Sequence, residues 1–170
     1  MRYVAADPAA PAMSVVELER FLRSGKKLMR LAFLDLKGQP QIRPLWFLYK
    51  KPHLIAVISK GSPLHRALQR RSSIYISVDE KKNNMSRGVR GKGDAKIRTG
   101  AASVTRYIAE VNARYMKGKS NPLALDLLRR ADSGELVSLE IIPKYLASWD
   151  FHSVHEVRTK PHAAGARRTA

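Results

Sequence analysis

The chain contains no cysteine. Disulfides and thiolate metal sites are therefore excluded, and the absence sits easily with a reducing compartment. No apolar run approaches the roughly 20 residues that a membrane-spanning helix needs. The N-terminal stretch MRYVAADPAAPAMS has no apolar core of a secretory signal. The expectation is a cytoplasmic protein without membrane contact. Carboxylates are scarce, 14 in all, and no two share a convincing face for glycosidase-type chemistry. His53, His65, His152, His155 and His162 fall in no metal-binding spacing, so no metal site is expected. No nucleophile elbow or Walker loop occurs. Gly88-Val89-Arg90-Gly91-Lys92-Gly93 resembles a phosphate loop but leads into a strand pattern, not a helix. No internal repeat is visible.

Positive charge is abundant. Thirty-two Lys and Arg give a formal net charge of +18 and a pI near 10.6. Such a bias raises nucleic-acid binding as a function class. The cations are spread over the body and not gathered in a tail. They are not interleaved with aromatics, and no helix-turn-helix or zinc-finger pattern accompanies them. Nucleic acid is therefore an alternative partner, not the favoured one. The length of 170 residues and a hydrophobic content of 44% suit one domain with a sizeable core.

Residues 1–12 are Ala/Pro-rich and read as a disordered tail. The domain proper then runs over 13–151, and a basic disordered tail occupies 152–170. Ser14-Val15-Val16-Glu17 is a capping box that opens a helix over 14–24, with Gly25 as its stop. Strands are expected over 28–36 and 41–49, and Pro44 argues for an edge or a bulge in the second. A third strand covers 53–59, a helix 62–71 and a strand 73–79. Residues 80–87 read as a polar loop. A glycine-bearing strand covers 88–99, with Arg90, Lys92, Asp94, Lys96 and Arg98 on one charged face. Helices over 101–117 and 120–131 precede strands over 136–142 and 145–151. About seven mostly antiparallel strands with peripheral helices make a mainly β protein that closes most readily into a barrel or sandwich.

The stretch with the most chemical content is the turn Ser59-Lys60-Gly61-Ser62. Ser62 stands as N-cap and Pro63 as first helical residue. Hydroxyls, free backbone N–H groups and a lysine at a helix N-terminus suit a bound phosphate. Arg66, one turn on, reaches the same side. The alternative is a pair of solvated cations beside an ordinary turn.

Four segments in fixed order carry a resemblance. They are RLAFLDLKGQPQIRPLWFLY (30–49), VISKGSPLHRALQRRSSIYISVD (57–79), GVRGKGDAKI (88–97) and IIPKYLASWDF (141–151). Over residues 14–151 the chain resembles the pyridoxamine 5′-phosphate oxidase-like superfamily of FMN/F420-binding split barrels. The resemblance implies a Greek-key antiparallel split β-barrel, a homodimer, and FMN as cofactor with F420 as the alternative. It implies that Pro44, Leu45, Trp46 and Phe47 line the isoalloxazine. Ile58, Ser59 and Lys60 would approach the ribityl phosphate, with Ser62 at the turn. Arg66 would face the phosphate from the helix. Lys92 and Trp149 would complete the pocket, from the second subunit. Plain core packing is the alternative for Trp46, Phe47 and Trp149. Many relatives carry a Lys and an Asn where this chain has Leu64 and Ala67, and His65 or Arg66 would then substitute. The implied activity is hydride transfer at flavin N5 with a small-molecule substrate or electron donor; no catalytic side chain is assigned. The arginine- and proline-rich C-terminal segment of the oxidase itself is absent. A non-catalytic flavin-binding protein on the same fold is the second reading.

Overall fold

The computed structural model describes residues 1–8, 11–82, 84–116 and 121–152. Nine strands form one largely antiparallel sheet, and four helices pack around it. In chain order they are β1 (Arg2–Ala5), α1 (Val15–Arg23), β2 (Met29–Leu34), β3 (Pro40–Leu45), β4 (Leu48–Lys50), β5 (His53–Ser59) and α2 (Pro63–Arg70). There follow β6 (Ser73–Lys82), β7 (Met85–Arg98), α3 (Ala101–Tyr115), α4 (Pro122–Asp132), β8 (Leu136–Pro143) and β9 (Tyr145–Asp150). None of the described helices is long and apolar enough to cross a membrane.

The sheet runs β3-β2-β6-β7-β8-β5-β4. Its two ends, β3 and β4, do not pair with each other. They are joined in sequence by Trp46 and Phe47 alone. The barrel is thus split, and the chain itself bridges the seam. The single strand expected over 41–49 breaks here, after Pro44, because the backbone must turn from one end of the sheet to the other. Pro44 sits on an edge strand, where a missing N–H is tolerated.

Inward residues alternate as a half-buried strand requires. Met29, Leu31 and Phe33 enter the core, while Arg30, Ala32 and Leu34 face out. Leu31, Leu139 and Ile141 are wholly buried, each contributing roughly 1.5–3 kcal/mol. The capping box of α1 forms as expected, Ser14 N–H donating to Glu17 Oε2 at 2.8 Å and Glu17 N–H to Ser14 Oγ at 3.3 Å. Leu18, Phe21 and Leu22 then face the core, whereas Val15 stays exposed.

Three expectations are corrected. Residues 1–12 are not all a tail: β1 pairs in parallel with β9, Arg2 opposite Tyr145 through Ala5 opposite Ser148. Met13 N–H also donates to Ser148 Oγ, and Asp150 N–H to the Pro11 carbonyl. The free edge of β9 supplies backbone partners that need no apolar periodicity in the segment they capture. Residues 80–87 are not a loop: β6 and β7 continue as a hairpin, with Glu80 directly opposite Arg87 and ion-paired to it at 2.6 Å. That cross-strand charge pair takes the place of apolar alternation. Of the C-terminal segment, His152 is anchored, its N–H donating to Asp150 Oδ1 and its Nε2 lying 2.9 Å from the Met85 carbonyl; residues 153–170 lie outside the described residues.

One edge of β7 is shared. Arg87–Arg90 pairs with β9, and Gly93–Arg98 pairs with β8. The register slips by one between Arg90–Ala147 and Gly93–Pro143, so Lys144, Tyr145 and Leu146 oppose only Gly91 and Lys92. β8 and β9 are in effect one strand with a bulge, which bends the sheet around β7.

Candidate functional site

A cavity of about 290 Å³ lies at the seam. Pro44, Leu45 and Trp46 form one wall, and Ile58 and Ser59 at the end of β5 form another. The remaining wall comes from α3 and α4. Val104, Ile108 and Val111 recur at helical spacing and are buried, which fixes α3 against the sheet. Its last turn then brings Tyr115 onto Trp46, the rings stacked at 5.5 Å and 23°.

The end of α3 is tied down by a dense set of hydrogen bonds. Arg114 donates to the carbonyls of Leu22, Ser24, Gly25 and Phe47 at 2.9–3.2 Å. Tyr115 donates to the Lys27 carbonyl at 2.8 Å and accepts the Phe47 N–H at 3.3 Å. Burial pulls the Arg114 guanidinium below its ordinary value and pushes the Tyr115 phenol up. Both shifts follow from the partial burial of the α3 terminus.

A second, open cleft of about 380 Å³ also touches Ser59 and is lined by Lys60 and Gly61 on one side and Ser133 to Glu135 on the other. The Lys60 N–H donates to the Glu135 carbonyl at 2.8 Å and locks these two turns together. Arg130, in the last turn of α4, borders both spaces. Its Nη2 donates to Ser59 Oγ at 3.0 Å.

The expected site residues separate into groups. Pro44, Leu45, Trp46, Ile58 and Ser59 line the cavity, and Lys60 lines the cleft. Phe47 turns inward, fully buried, with the Arg114 guanidinium 4.9 Å above its ring; it is a core residue. Ser62 caps α2, its Oγ accepting the His65 N–H at 3.2 Å. His65 is buried, and its Nδ1 accepts the Gly61 N–H at 3.3 Å. Arg66 is exposed on α2 and lines neither space. Lys92 lies on the outer sheet face, in a groove of about 370 Å³ with Tyr75 and Arg71. Trp149 covers Gly88, where a Cβ would stand 2.4 Å from its ring, and its Nε1–H donates to Ser86 Oγ at 3.2 Å. Lys92 and Trp149 thus do not join the seam cavity.

Arg130 and the α3–α4 wall were not foreseen. The sequence signal at Arg129-Arg130 is two cations in the last turn of a helix, which favourable interaction with the helix dipole already explains. Only the β5–α4 pairing distinguishes the second from the first.

Residues 16–150 match the family described as pyridoxamine 5′-phosphate oxidase. Among solved structures, the fold is similar to a conserved hypothetical protein from Mycobacterium tuberculosis, at 21% identity and a TM-score of 0.73, covering 98% of this chain and 100% of that one. An F420 reductase matches at 20% identity and a TM-score of 0.59, over 76% of this chain and 94% of its own. An FAD-binding protein from Mesorhizobium loti matches at 18% identity and a TM-score of 0.59, over 82% of this chain and 96% of its own. No curated protein matches the sequence.

Proposed function

The chain belongs to the pyridoxamine 5′-phosphate oxidase family, and from that premise we propose that it binds a flavin-type cofactor at the seam, FMN ahead of F420, and acts as an oxidoreductase on a small-molecule substrate or electron donor. The observation that carries this reading is a pair of unlike spaces that share Ser59 and Arg130 in their linings. An apolar cavity lined by Trp46, Leu45 and Ile58 neighbours a cleft bearing Lys60, and Ser59 and Arg130 border both. A planar ring fits the first and a phosphate fits the second. The cavity's volume lies near the lower end of the roughly 300–1,000 Å³ of ligand sites, which suits a ring whose side chain continues outside.

The cofactor, when bound, supplies hydride chemistry. Pro44, Leu45 and Trp46 would hold its ring against the seam, and Tyr115 would keep Trp46 in place from behind. Arg130 is the one ionisable side chain among the cavity-lining residues. The reading therefore assigns no proton donor, and a non-catalytic flavin carrier stays the second reading on that same observation.

A second copy of the chain would seat on the outer face of β3-β2-β6. Ile42, Ala32 and Tyr75 form one cross-strand row there, with Leu34 and Pro40 in the next. Ile42 is 66% exposed and Leu34 43%, an apolar patch of the kind that marks an interface. Ile42→Lys is expected to convert a dimer to a monomer in light scattering; a wild-type protein that is already monomeric at micromolar concentration would end this part of the proposal.

The cofactor reading has a direct optical test. At about 100 times Kd, FMN or F420 should raise the melting temperature by roughly 5–10 °C. Bound flavin should quench tryptophan emission, and Trp46→Phe should remove most of that quench, while Trp149→Phe retains it. Protein that stays colourless, and that neither FMN nor F420 stabilises, would refute the assignment.

A further inference from the structure

The start of α2 offers little to an anion. Ser62 Oγ and His65 Nδ1 already take the His65 and Gly61 N–H groups. Pro63 has no N–H to give. Leu64 and Ala67 are 4% and 2% exposed and belong to the core. Arg66 is exposed and lines neither the cavity nor the cleft. An anion held at the seam must find its charge elsewhere.

The opposite wall provides it. Arg130 borders both the cavity and the cleft, and no other cation among the described residues does so. Its Nη2 is fixed by Ser59 Oγ at 3.0 Å, and its Nε faces Glu135 at 3.3 Å. Asp126 stands farther off, 4.0 Å from Nη1. Glu135 is held independently by Ser133 Oγ at 2.8 Å, so it orients the guanidinium without depending on it. Gly61 and Gly134 flank the cleft at φ +74° and +73°, and a Cβ at either would meet nothing within 4 Å. The two turns thus leave the cleft that Arg130 borders open at both glycines.

Resting on the cofactor reading above, we infer that Arg130 is the phosphate-binding residue of this chain. The anion seat lies at the corner between α4 and β8, not at the start of α2. Arg130 and Ser59 Oγ grip the phosphate where it leaves the apolar cavity, and Lys60 adds charge from the rim. A guanidinium fork matches phosphate oxygens two at a time, which a lysine cannot do.

The test compares phosphorylated ligands with their phosphate-free counterparts. Dissociation constants would be measured by fluorescence titration for FMN and riboflavin, and for F420 and its deazaflavin lacking the phosphate-bearing tail. Each pair is titrated against wild type, Arg130→Gln, Arg130→Lys and the neighbouring Arg129→Gln. Wild type should prefer the phosphorylated member by about 10- to 100-fold. Arg130→Gln should lose most of that preference, with the phosphate-free ligand binding within about twofold of wild type. Arg130→Lys should keep part of it, and Arg129→Gln all of it. Whichever pair carries the preference identifies the phosphate's source. The inference alone fails if Arg130→Gln, with a wild-type melting curve, keeps the full preference, or if wild type binds both members of a pair equally. Wild type that binds no member of either pair removes the cofactor reading as well.

Discussion

Replacing Gly91 with alanine is expected to lower the unfolding free energy by roughly 3–5 kcal/mol. For a chain of this length that is a fall of roughly 6–20 °C in melting temperature. The cause is a close approach of backbones, not a special dihedral. A Cβ at Gly91 would stand 2.2 Å from the Tyr145 carbonyl oxygen and 2.9 Å from Leu146 Cδ2. Side chains could shift, but the oxygen belongs to the bulge where β8 becomes β9. That bulge is pinned from several directions: Lys144 N–H donates to the Lys92 carbonyl at 2.9 Å, Arg2 N–H donates to the Lys144 carbonyl, and β1 pairs along Tyr145–Ser148. Gly134→Ala provides the contrast. There φ is +73° and the space is open, so only the left-handed backbone penalty of about 1–2 kcal/mol applies. Thermal or chemical unfolding of the two variants distinguishes these causes. Equal losses would mean that β8–β9 yields to the added methyl, and that the bulge is softer than its hydrogen bonds imply.

Gly91 also shows where sequence reading succeeds and stops. A glycine inside a strand signals that something comes close, and that much was legible. Whether a ligand or a backbone does the approaching depends on β9, more than fifty residues away. The same division runs through the fold. Ser14 with Glu17 and Ser62 with Pro63 announce their helices, because capping is a contact over three or four residues. The alternation of Met29, Leu31 and Phe33 announces β2. By contrast, β1 exists only because the edge of β9 is free, and the break at Trp46-Phe47 exists only because two sheet ends must be joined. In the site, Pro44, Leu45, Trp46, Ile58 and Ser59 were named only through the resemblance, and the structure sets all five around one cavity. Phe47 was not separable from them, because a one-residue step across the seam decides which side chain faces the cavity. Arg130 and Arg114 carry only the common pattern of a cation in a helix's last turn; each acts on carbonyls or hydroxyls from a distant part of the chain.

Arg114 is the second position where a single change has a large expected effect. Leu22, Ser24 and Gly25 lie at the C-terminal end of α1, where helix carbonyls lack intrahelical partners. Arg114 reaches them from α3 and, with the same guanidinium, holds the Phe47 carbonyl at 3.1 Å. It is therefore a cap supplied by another helix, and it fixes the seam relative to α1. Arg114→Ala leaves the Leu22 and Gly25 carbonyls without this donor, while the Ser24 carbonyl keeps Lys27 Nζ at 2.7 Å and the Phe47 carbonyl keeps the Tyr115 hydroxyl at 3.1 Å, and it removes the cation above the Phe47 ring. The expected cost is about 3 kcal/mol, since bonds to a charged group are worth about 1.5–3 each but do not add; the melting temperature should fall by roughly 6–12 °C. Arg114→Lys keeps the charge but cannot serve four carbonyls at once, so about half of the loss should remain. The effect should also reach the cavity. Trp46 rests on Tyr115, the next residue along α3, so loosening the helix end should shift Trp46 emission to the red in the still-folded variant. A fall in stability without that shift would show that Tyr115, through the Lys27 carbonyl and the Phe47 N–H, holds the seam without help from Arg114.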